Sequence, residues 1–115
     1  MTREQLIDKV LAILQADGGT GQSASAEDSA LVNAAIPSVI AELEGRRIVT
    51  VPDANNIDDA VFLGLATLVA EALLDEFGVA GDVAMKINAR ARGAEATLRQ
   101  ISSPSYYDPS PVVYY

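Results

Sequence analysis

The sequence predicts an all-α fold, a small four-helix bundle with an extended C-terminal arm rich in proline and tyrosine. Four stretches carry apolar residues at spacings of three and four, which is the period of one helix face. Residues that favour helix starts precede these stretches, and glycine or proline separates them. Half of the residues are apolar, as in compact helical proteins. We assign residues 1–102 to a helical bundle domain and residues 103–115 to a docking arm.

The first helix is predicted from a cap and an apolar face. Thr2 and Gln5 have the spacing of a capping box, in which a hydroxyl and an amide side chain satisfy each other's backbone N–H groups. Leu6, Val10 and Leu14 follow on one side. We therefore expect a helix over residues 3–16, followed by a glycine-rich loop.

The second helix is expected to begin at Ala26, after a cap at Ser25 and with acidic residues in its first turn. Its apolar positions recur at three and four, so one side should face a core. Pro37 lies within that side. Because proline removes a backbone donor, it is expected to kink the helix or to split it near Ala34. Gly45 should end the helix.

A short β-prone run, Ile48 to Val51, precedes Pro52. No other run in the sequence offers a partner strand, and a single strand is not stable by itself. We interpret residues 48–51 as either an isolated extended segment or a lone edge strand.

The third helix is predicted over residues 57–77, with a cap at Asn56 to Asp59 and with Gly78 closing it. Apolar residues occupy nearly every side of this stretch, and a helix that is apolar all round is buried all round. The third helix should therefore be the central helix of the bundle, packed against the others. A stripe of small residues is a candidate contact with another subunit: Gly64, Ala66 and Ala70.

The fourth helix is predicted from Asp82 to Ile101, ending before Pro104. Its apolar residues form a narrow seam, so most of the helix should be exposed. The seam consists of Val83, Ile87, Ala91, Ala94, Leu98 and Ile101. The polar side carries Lys86, Arg90, Arg92 and Arg99, with Glu95 placed to pair with Arg92 and Arg99. This side is either a basic strip that docks an acidic partner or an ordinary solvated face.

The C-terminal arm holds all four tyrosines and three of the five prolines of the chain. The prolines exclude a helix and favour an extended backbone, whereas the tyrosine rings offer large contact area with few rotamers to fix. An extended aromatic arm requires a groove to lie in. If that groove belongs to another copy or to another protein, the function of the chain is assembly.

The residue inventory argues against an enzyme. The chain has no cysteine and no histidine, which removes the most frequent general base, thiolate chemistry and cysteine-based zinc sites. Asp53, Asp58 and Asp59 suggest an oxygen-ligand metal site, but they lack the alternation of a calcium loop, and helix capping explains them better. The sequence contains neither the glycine motif of dinucleotide-binding folds nor that of the phosphate-binding P-loop. We predict no catalytic residue, no metal and no cofactor.

Charge and hydropathy restrict the partners. The net charge is −8, which argues against wrapping nucleic acid. Residues 1–82 carry 14 acids and 4 bases, whereas residues 83–115 carry 2 acids and 4 bases. Such a bipolar molecule is able to stack head to tail on itself. Residues 1–6 lack the pattern of a signal peptide, and no apolar run approaches the length of a membrane span. We expect a protein made in a cytoplasm, with no membrane partner.

The order of several short motifs resembles the head-to-tail adaptor proteins of tailed bacteriophages, which are also called head-tail connector or head completion proteins. The resemblance covers the chain from about residue 30 onward, and its most specific part is the tail. There, one additional residue separates Pro104 from Pro109 compared with the usual pattern. The motifs are Pro52-Asp53, Ile57 to Phe62, Ala94 to Arg99, Pro104 to Tyr106, Tyr107 to Pro109 and the terminal Tyr114-Tyr115.

The resemblance implies a virion structural protein at the capsid-tail junction, assembled in the host cytoplasm. Adaptors of this kind form homo-oligomeric rings, commonly of twelve copies, beneath the portal protein. They extend the channel through which DNA passes without sequence-specific binding, and they provide a platform for a stopper or tail component.

Carried onto this sequence, the resemblance also implies which residues dock on the portal or on a neighbouring subunit. The supporting charges would come from the fourth helix, and the anchors from the arm. These residues are Arg90, Arg92, Arg99, Pro104, Tyr106, Tyr107, Pro109, Tyr114 and Tyr115.

Two alternatives remain open from the sequence. The first is a different phage interaction protein, such as a tail terminator or a helical assembly chaperone. The second is a small acidic regulatory module of a bacterial cell, whose aromatic tail serves as a peptide ligand.

Overall fold

The computed structural model describes residues 1–16 and 26–102. Within these ranges the chain forms four helices: α1 (Arg3–Ala16), α2 (Ala26–Gly45), α3 (Asp59–Ala72) and α4 (Gly81–Ser102). The described residues contain no strand. None of the four helices is both long and apolar enough to cross a bilayer. The predicted all-α class is confirmed.

Helix α1 begins at the predicted capping box. The backbone N–H of Thr2 donates to Gln5 Oε1 at 2.8 Å, and the backbone N–H of Gln5 donates to Thr2 Oγ1 at 3.1 Å. These two bonds satisfy donors that the first turn of a helix leaves open. The apolar side of α1 is buried, with Leu6 and Val10 completely inaccessible to solvent.

Helix α2 runs through Pro37 without interruption, so the predicted split near Ala34 is wrong. A proline at this position has no N–H for the carbonyl of Asn33 one turn earlier. That carbonyl accepts a hydrogen bond from the side chain of Arg3 instead. The helix therefore keeps its apolar side in one piece, with Val32 and Ile36 fully buried.

The end of α2 adopts a Schellman motif with an arginine where glycine is usual. Arg47 has a left-handed backbone, with φ of 57°. Its N–H donates to the carbonyl of Glu44 at 3.1 Å, and the N–H of Ile48 donates to the carbonyl of Leu43 at 2.9 Å. This pattern closes the last turn of the helix. A non-glycine residue in this conformation carries a steric cost.

The segment after α2 joins the core without forming a strand. Ile48, Val49 and Val51 are all buried. The N–H of Val51 donates to Glu44 Oε2 at 3.1 Å, so a side chain takes the place of a strand partner. Of the two interpretations of residues 48–51, the lone edge strand is wrong, because these residues form no strand.

Helix α3 is shorter than predicted. It begins after Asp58, whose Oδ1 accepts the N–H of Ala60 at 2.9 Å. It ends at Ala72, because Leu73 and Leu74 donate to carbonyls three residues earlier, which tightens the last turn. The predicted end at residue 77 is wrong. Residues 73–77 form turns that contain two acidic residues, an unfavourable composition for the negative end of a helix dipole.

The prediction that Gly78 closes the third helix is wrong, because α3 ends at Ala72; Gly78 instead ends the turns that follow α3. Gly78 has φ of 67°, a conformation that glycine adopts at no steric cost. Its N–H donates to the carbonyl of Asp75 at 3.1 Å, and the N–H of Val79 donates to the carbonyl of Leu74 at 2.9 Å. A second Schellman motif therefore reverses the chain towards α4.

Helix α3 is the centre of the bundle, as predicted. It packs against α1, α2 and α4, whereas the backbone of α4 lies close to α3 alone. The proposed contact of the small stripe with another subunit is wrong. Ala66 and Ala70 are fully buried within the chain, and Gly64 lies against Leu98 of α4.

Candidate functional site

Helix α4 has one buried side and is otherwise open to solvent. Ile87, Ala91 and Leu98 are completely buried against α3. The close approach depends on Gly64, where an added Cβ would lie 3.1 Å from Leu98 Cγ. The predicted seam is therefore confirmed at its centre. At its end the prediction is wrong, because the side chain of Ile101 is 44% exposed.

The basic residues of α4 do not form a single strip. Successive residues of an α-helix are rotated by about 100°, so Arg90 and Arg92 point in directions about 200° apart. Arg92 lines a cleft towards α2, and Arg90 lines a different groove on the other side of α4. Arg99 lies seven residues after Arg92, and thus on the same side of the helix as Arg92. An acidic partner that contacts one side would miss the other.

Arg92 is paired within the chain. Its Nη1 lies 3.2 Å from Glu95 Oε2, which confirms the predicted pair on α4. Its Nη2 also contacts Glu71 Oε1 of α3. The guanidinium therefore bridges two helices, and a partner that required Arg92 would first have to separate it from two carboxylates.

A second arginine extends these contacts into a cluster that joins three helices. Arg46 Nη1, just after α2, lies 3.3 Å from Glu95 Oε2 and 3.6 Å from Glu42 Oε2. The cluster consists of Arg46, Arg92, Glu42, Glu71 and Glu95. Its side chains range from 13% exposed at Glu95 to 66% at Glu42, so solvent screens part of the attraction. The cluster ties α4 to α2, which its backbone does not approach.

Apart from the pair of Arg92 and Glu95, sequence reasoning missed this cluster, although its other three members each carried a signal. Glu42 and Arg46 stand four residues apart, the spacing of a helical ion pair. Glu71 is the one charged residue of α3 after Asp59 in the first turn, which indicates a specific partner. Only the packing of α4 on α3 brings the residues of α2, α3 and α4 together in one cluster.

Arg90 lies in a shallow groove between α3 and α4. Leu63, with 54% of its surface exposed, stands on the α3 side, and Asp59 lies in the same groove. The groove measures about 510 Å³. Because it carries both charge signs, it does not select an acidic partner by itself.

A third groove lies beside the C-terminal end of α4. Its apolar lining combines the buried segment after α2 with residues that flank the start of α3, and the exposed Ile101 stands at its edge. The lining includes Val49, Val51, Pro52, Ile57, Val61 and Ile101. The last described residue, Ser102, directly follows Ile101. We call this depression the α4-end groove.

The predicted anchors of the arm lie outside the described residues. These are Pro104, Tyr106, Tyr107, Pro109, Tyr114 and Tyr115. Arg99 is exposed in the last turn of α4, shortly before the arm begins. The structure thus fixes the point from which the arm starts.

Of the three aspartates that the sequence suggests as metal ligands, two bind nearby backbone N–H groups and the third forms an ion pair. Asp58 caps α3, and Asp53 Oδ1 accepts the N–H of Asn55 at 2.9 Å. Asp59 Oδ1 lies 3.5 Å from the terminal ammonium of Met1, which also donates to the carbonyl of Ile57 at 2.8 Å. The predicted capping role of Asp58 is confirmed. No group of three or more metal-ligating side chains occurs in residues 1–16 and 26–102.

The fold and the site define a small all-α bundle whose last helix is exposed and leads into an aromatic arm. Comparison with known protein families, curated proteins and solved structures finds no significant match to this chain. The functional proposal therefore depends on the residues of the chain itself.

Proposed function

We propose that this protein is a head-to-tail adaptor of a tailed bacteriophage, a structural subunit without catalytic activity. In this role it forms a ring beneath the portal, extends the DNA channel and presents a platform for the next connector or tail component. The order of motifs in the sequence suggests this class. The exposed end of α4 is the structural observation that supports it best.

The described residues form a hydrophobic core among themselves. Every fully buried side chain named above lies between residues 6 and 98, and the central helix is covered by the other three. The end of α4 is exposed at Arg99, Gln100 and Ile101. A docking arm would therefore leave the bundle from a solvent-exposed end of α4.

Charge supports the channel role. Acidic residues outnumber basic residues by 16 to 8. Two of the basic residues, Arg46 and Arg92, are neutralised by three carboxylates in the cluster between the helices. A ring of such subunits presents a negative wall, which repels phosphate and lets DNA slide past.

In this proposal the tyrosines of the arm anchor the subunit on the portal or on a neighbouring subunit. Large aromatic side chains often dominate binding energy when they fill pockets at the centre of an interface. The exposed Arg90 and Arg99 supply supporting charge. For Arg92 to take part, its guanidinium would have to leave its contacts with Glu71 and Glu95.

The experiment is a binding assay between this protein and the portal protein encoded by the same genome. Removing residues 103–115 should leave the helical content intact and abolish portal binding. A matched variant, Leu31→Ser, changes an exposed residue of α2 and should bind normally. Normal portal binding by the truncated chain would contradict the docking role of the arm.

Electron microscopy of the complex tests the position in the virion. An adaptor should form a ring directly on the portal, with one arm per subunit in contact with it. A position at the distal end of the tail would show a tail terminator instead.

A further inference from the structure

We infer that the first part of the arm, residues 104–107, docks in the α4-end groove of its own chain. This deepens the proposed function, because it gives the arm a resting position before a partner takes it. It depends on that function only for the identity of the partner. The docking itself is a property of the isolated subunit.

The groove has an apolar floor with one exposed wall. Val49, Val51, Ile57 and Val61 line the groove and are each less than one tenth exposed. Ile101 stands at the edge with 44% of its surface open. A large aliphatic side chain at a seam position of α4 should be covered, since burying it removes apolar area from water. The exposure of Ile101 is the first reason to propose that a segment of the arm packs in this groove.

The chemistry of the groove suits tyrosine. Polar side chains stand among the apolar ones, including Thr50, Asn56 and Asp58. Asp58 uses Oδ1 to cap α3, which leaves Oδ2 as a further acceptor. A tyrosine ring has an apolar body and a hydroxyl that donates, so it is able to cover the floor while its hydroxyl reaches a polar side chain. Proline at position 104 favours an extended backbone.

The position of the chain end favours the protein's own arm over a second copy. Ile101 lines the groove, and residues 104–107 follow it after only two positions. At about 3.3 Å per extended residue, Tyr107 reaches at most about 20 Å from Ile101, so the groove is within range. A ligand tethered this closely has an effective concentration in the millimolar range. A separate copy at micromolar concentration competes poorly.

The tyrosines provide a direct probe. The chain has no tryptophan, and its four tyrosines all lie in the arm, so its intrinsic tyrosine fluorescence comes from the arm alone. Acrylamide quenching of the full-length protein is compared with that of a synthetic peptide of residues 103–115. If two of the four tyrosines are buried in the groove, the quenching slope falls to about half of the peptide value.

Two variants of the full chain decide the location. Ile101→Glu places a charge at the edge of the groove without entering the core and should raise the slope to that of the peptide. Leu63→Glu makes the same kind of change at a more exposed residue away from the groove and should quench like the unaltered protein. Circular dichroism checks that both variants remain helical. If the Ile101→Glu protein is unfolded, the Ile101→Ala variant is measured in its place. For that variant we expect a quenching slope between those of the unaltered protein and the peptide.

Several outcomes would overturn the inference. A slope equal to that of the peptide in the unaltered protein would show that the tyrosines are open. Protection that is lost on dilution would show that a second copy fills the groove. Portal binding is measured separately: protected tyrosines without portal binding would contradict the proposed function alone, whereas portal binding with open tyrosines would contradict only this inference.

Discussion

Arg3 of α1 donates to the backbone carbonyl of Asn33 in α2, the carbonyl for which Pro37 provides no N–H. The Nη2 to oxygen distance is 3.1 Å, and Nε of the same guanidinium donates to Asn33 Oδ1 at 2.5 Å. A carbonyl that loses its helical partner is costly unless another donor or water replaces it. A side chain from the neighbouring helix thus compensates for a proline inside α2 and fixes the two helices to each other.

A double-mutant cycle tests this compensation. Arg3→Met should lower the free energy of unfolding by about 1 kcal/mol, the usual net value of lost hydrogen bonds. In a Pro37→Ala background the same change should cost less, because the alanine restores the N–H that the carbonyl of Asn33 lacks. Urea denaturation of the four proteins measures the coupling. Equal costs in both backgrounds would show that the carbonyl does not depend on Arg3.

Two glycines within helices should respond to alanine in opposite directions. Gly93→Ala should stabilise the protein by up to about 1 kcal/mol, since alanine favours a helix and nothing lies within 4 Å of the new Cβ. Gly64→Ala should destabilise it. There the new Cβ meets Leu98 at 3.1 Å, and overpacking costs about 1 to 3 kcal/mol.

Thermal unfolding measures the stability of both variants, and each variant serves as the control for the other. They share the same chemical change and the same helical backbone, and differ only in what the new methyl group meets. A stabilised Gly64→Ala protein would show that α4 moves away from α3 at little cost.

Replacing Arg47 by glycine should stabilise the protein. The left-handed backbone of Arg47 costs about 1 kcal/mol or more for a residue with a Cβ, and glycine removes that cost while adding some entropy to the unfolded chain. We expect a net gain of about 0.5 kcal/mol. Arg47→Ala removes the same charge but keeps the Cβ, so it should give no such gain. Chemical denaturation of both variants provides the comparison.

The ion-pair cluster should be worth little stability but should depend on salt. We expect a coupling energy of about 0.5 kcal/mol between Arg46→Met and Glu95→Gln, in the range of partly exposed pairs. It should fall between about 0.05 and 1 M salt, as ions screen the charges. The same cycle with Arg90→Met, on the other side of α4, should show no coupling. A coupling that persists in high salt would contradict an electrostatic link.

Local sequence patterns predicted the helices well where one residue pair determines the outcome. The capping box of Thr2 and Gln5 and the cap at Asp58 are short-range interactions, so the sequence alone locates them. The break at Leu73 was missed because the apolar pattern continues beyond it to Leu74 and Phe77. Periodicity reports which side is buried, not where the backbone hydrogen bonds change partners.

The candidate site was harder to predict because it depends on contacts between helices. The sequence showed basic residues on α4, but not that Arg92 meets Glu71 while Arg90 faces another groove. It also showed the arm without a receptor for it. The α4-end groove combines residues 49–61 with Ile101, about 40 positions later in the chain, and no local pattern encodes such a meeting.

Because α4 packs against only one other helix, α3, it is able to unfold locally without global unfolding of the bundle. Helices α1, α2 and α3 contact one another in every combination, whereas α4 is held by its seam on α3 and by the ion pairs of its polar side. The amide protons of α4 should therefore exchange with solvent through partial openings that leave the other three helices protected. Such a separable helix would let a subunit adjust the direction of its arm to the ring it joins while the rest of the protein stays folded.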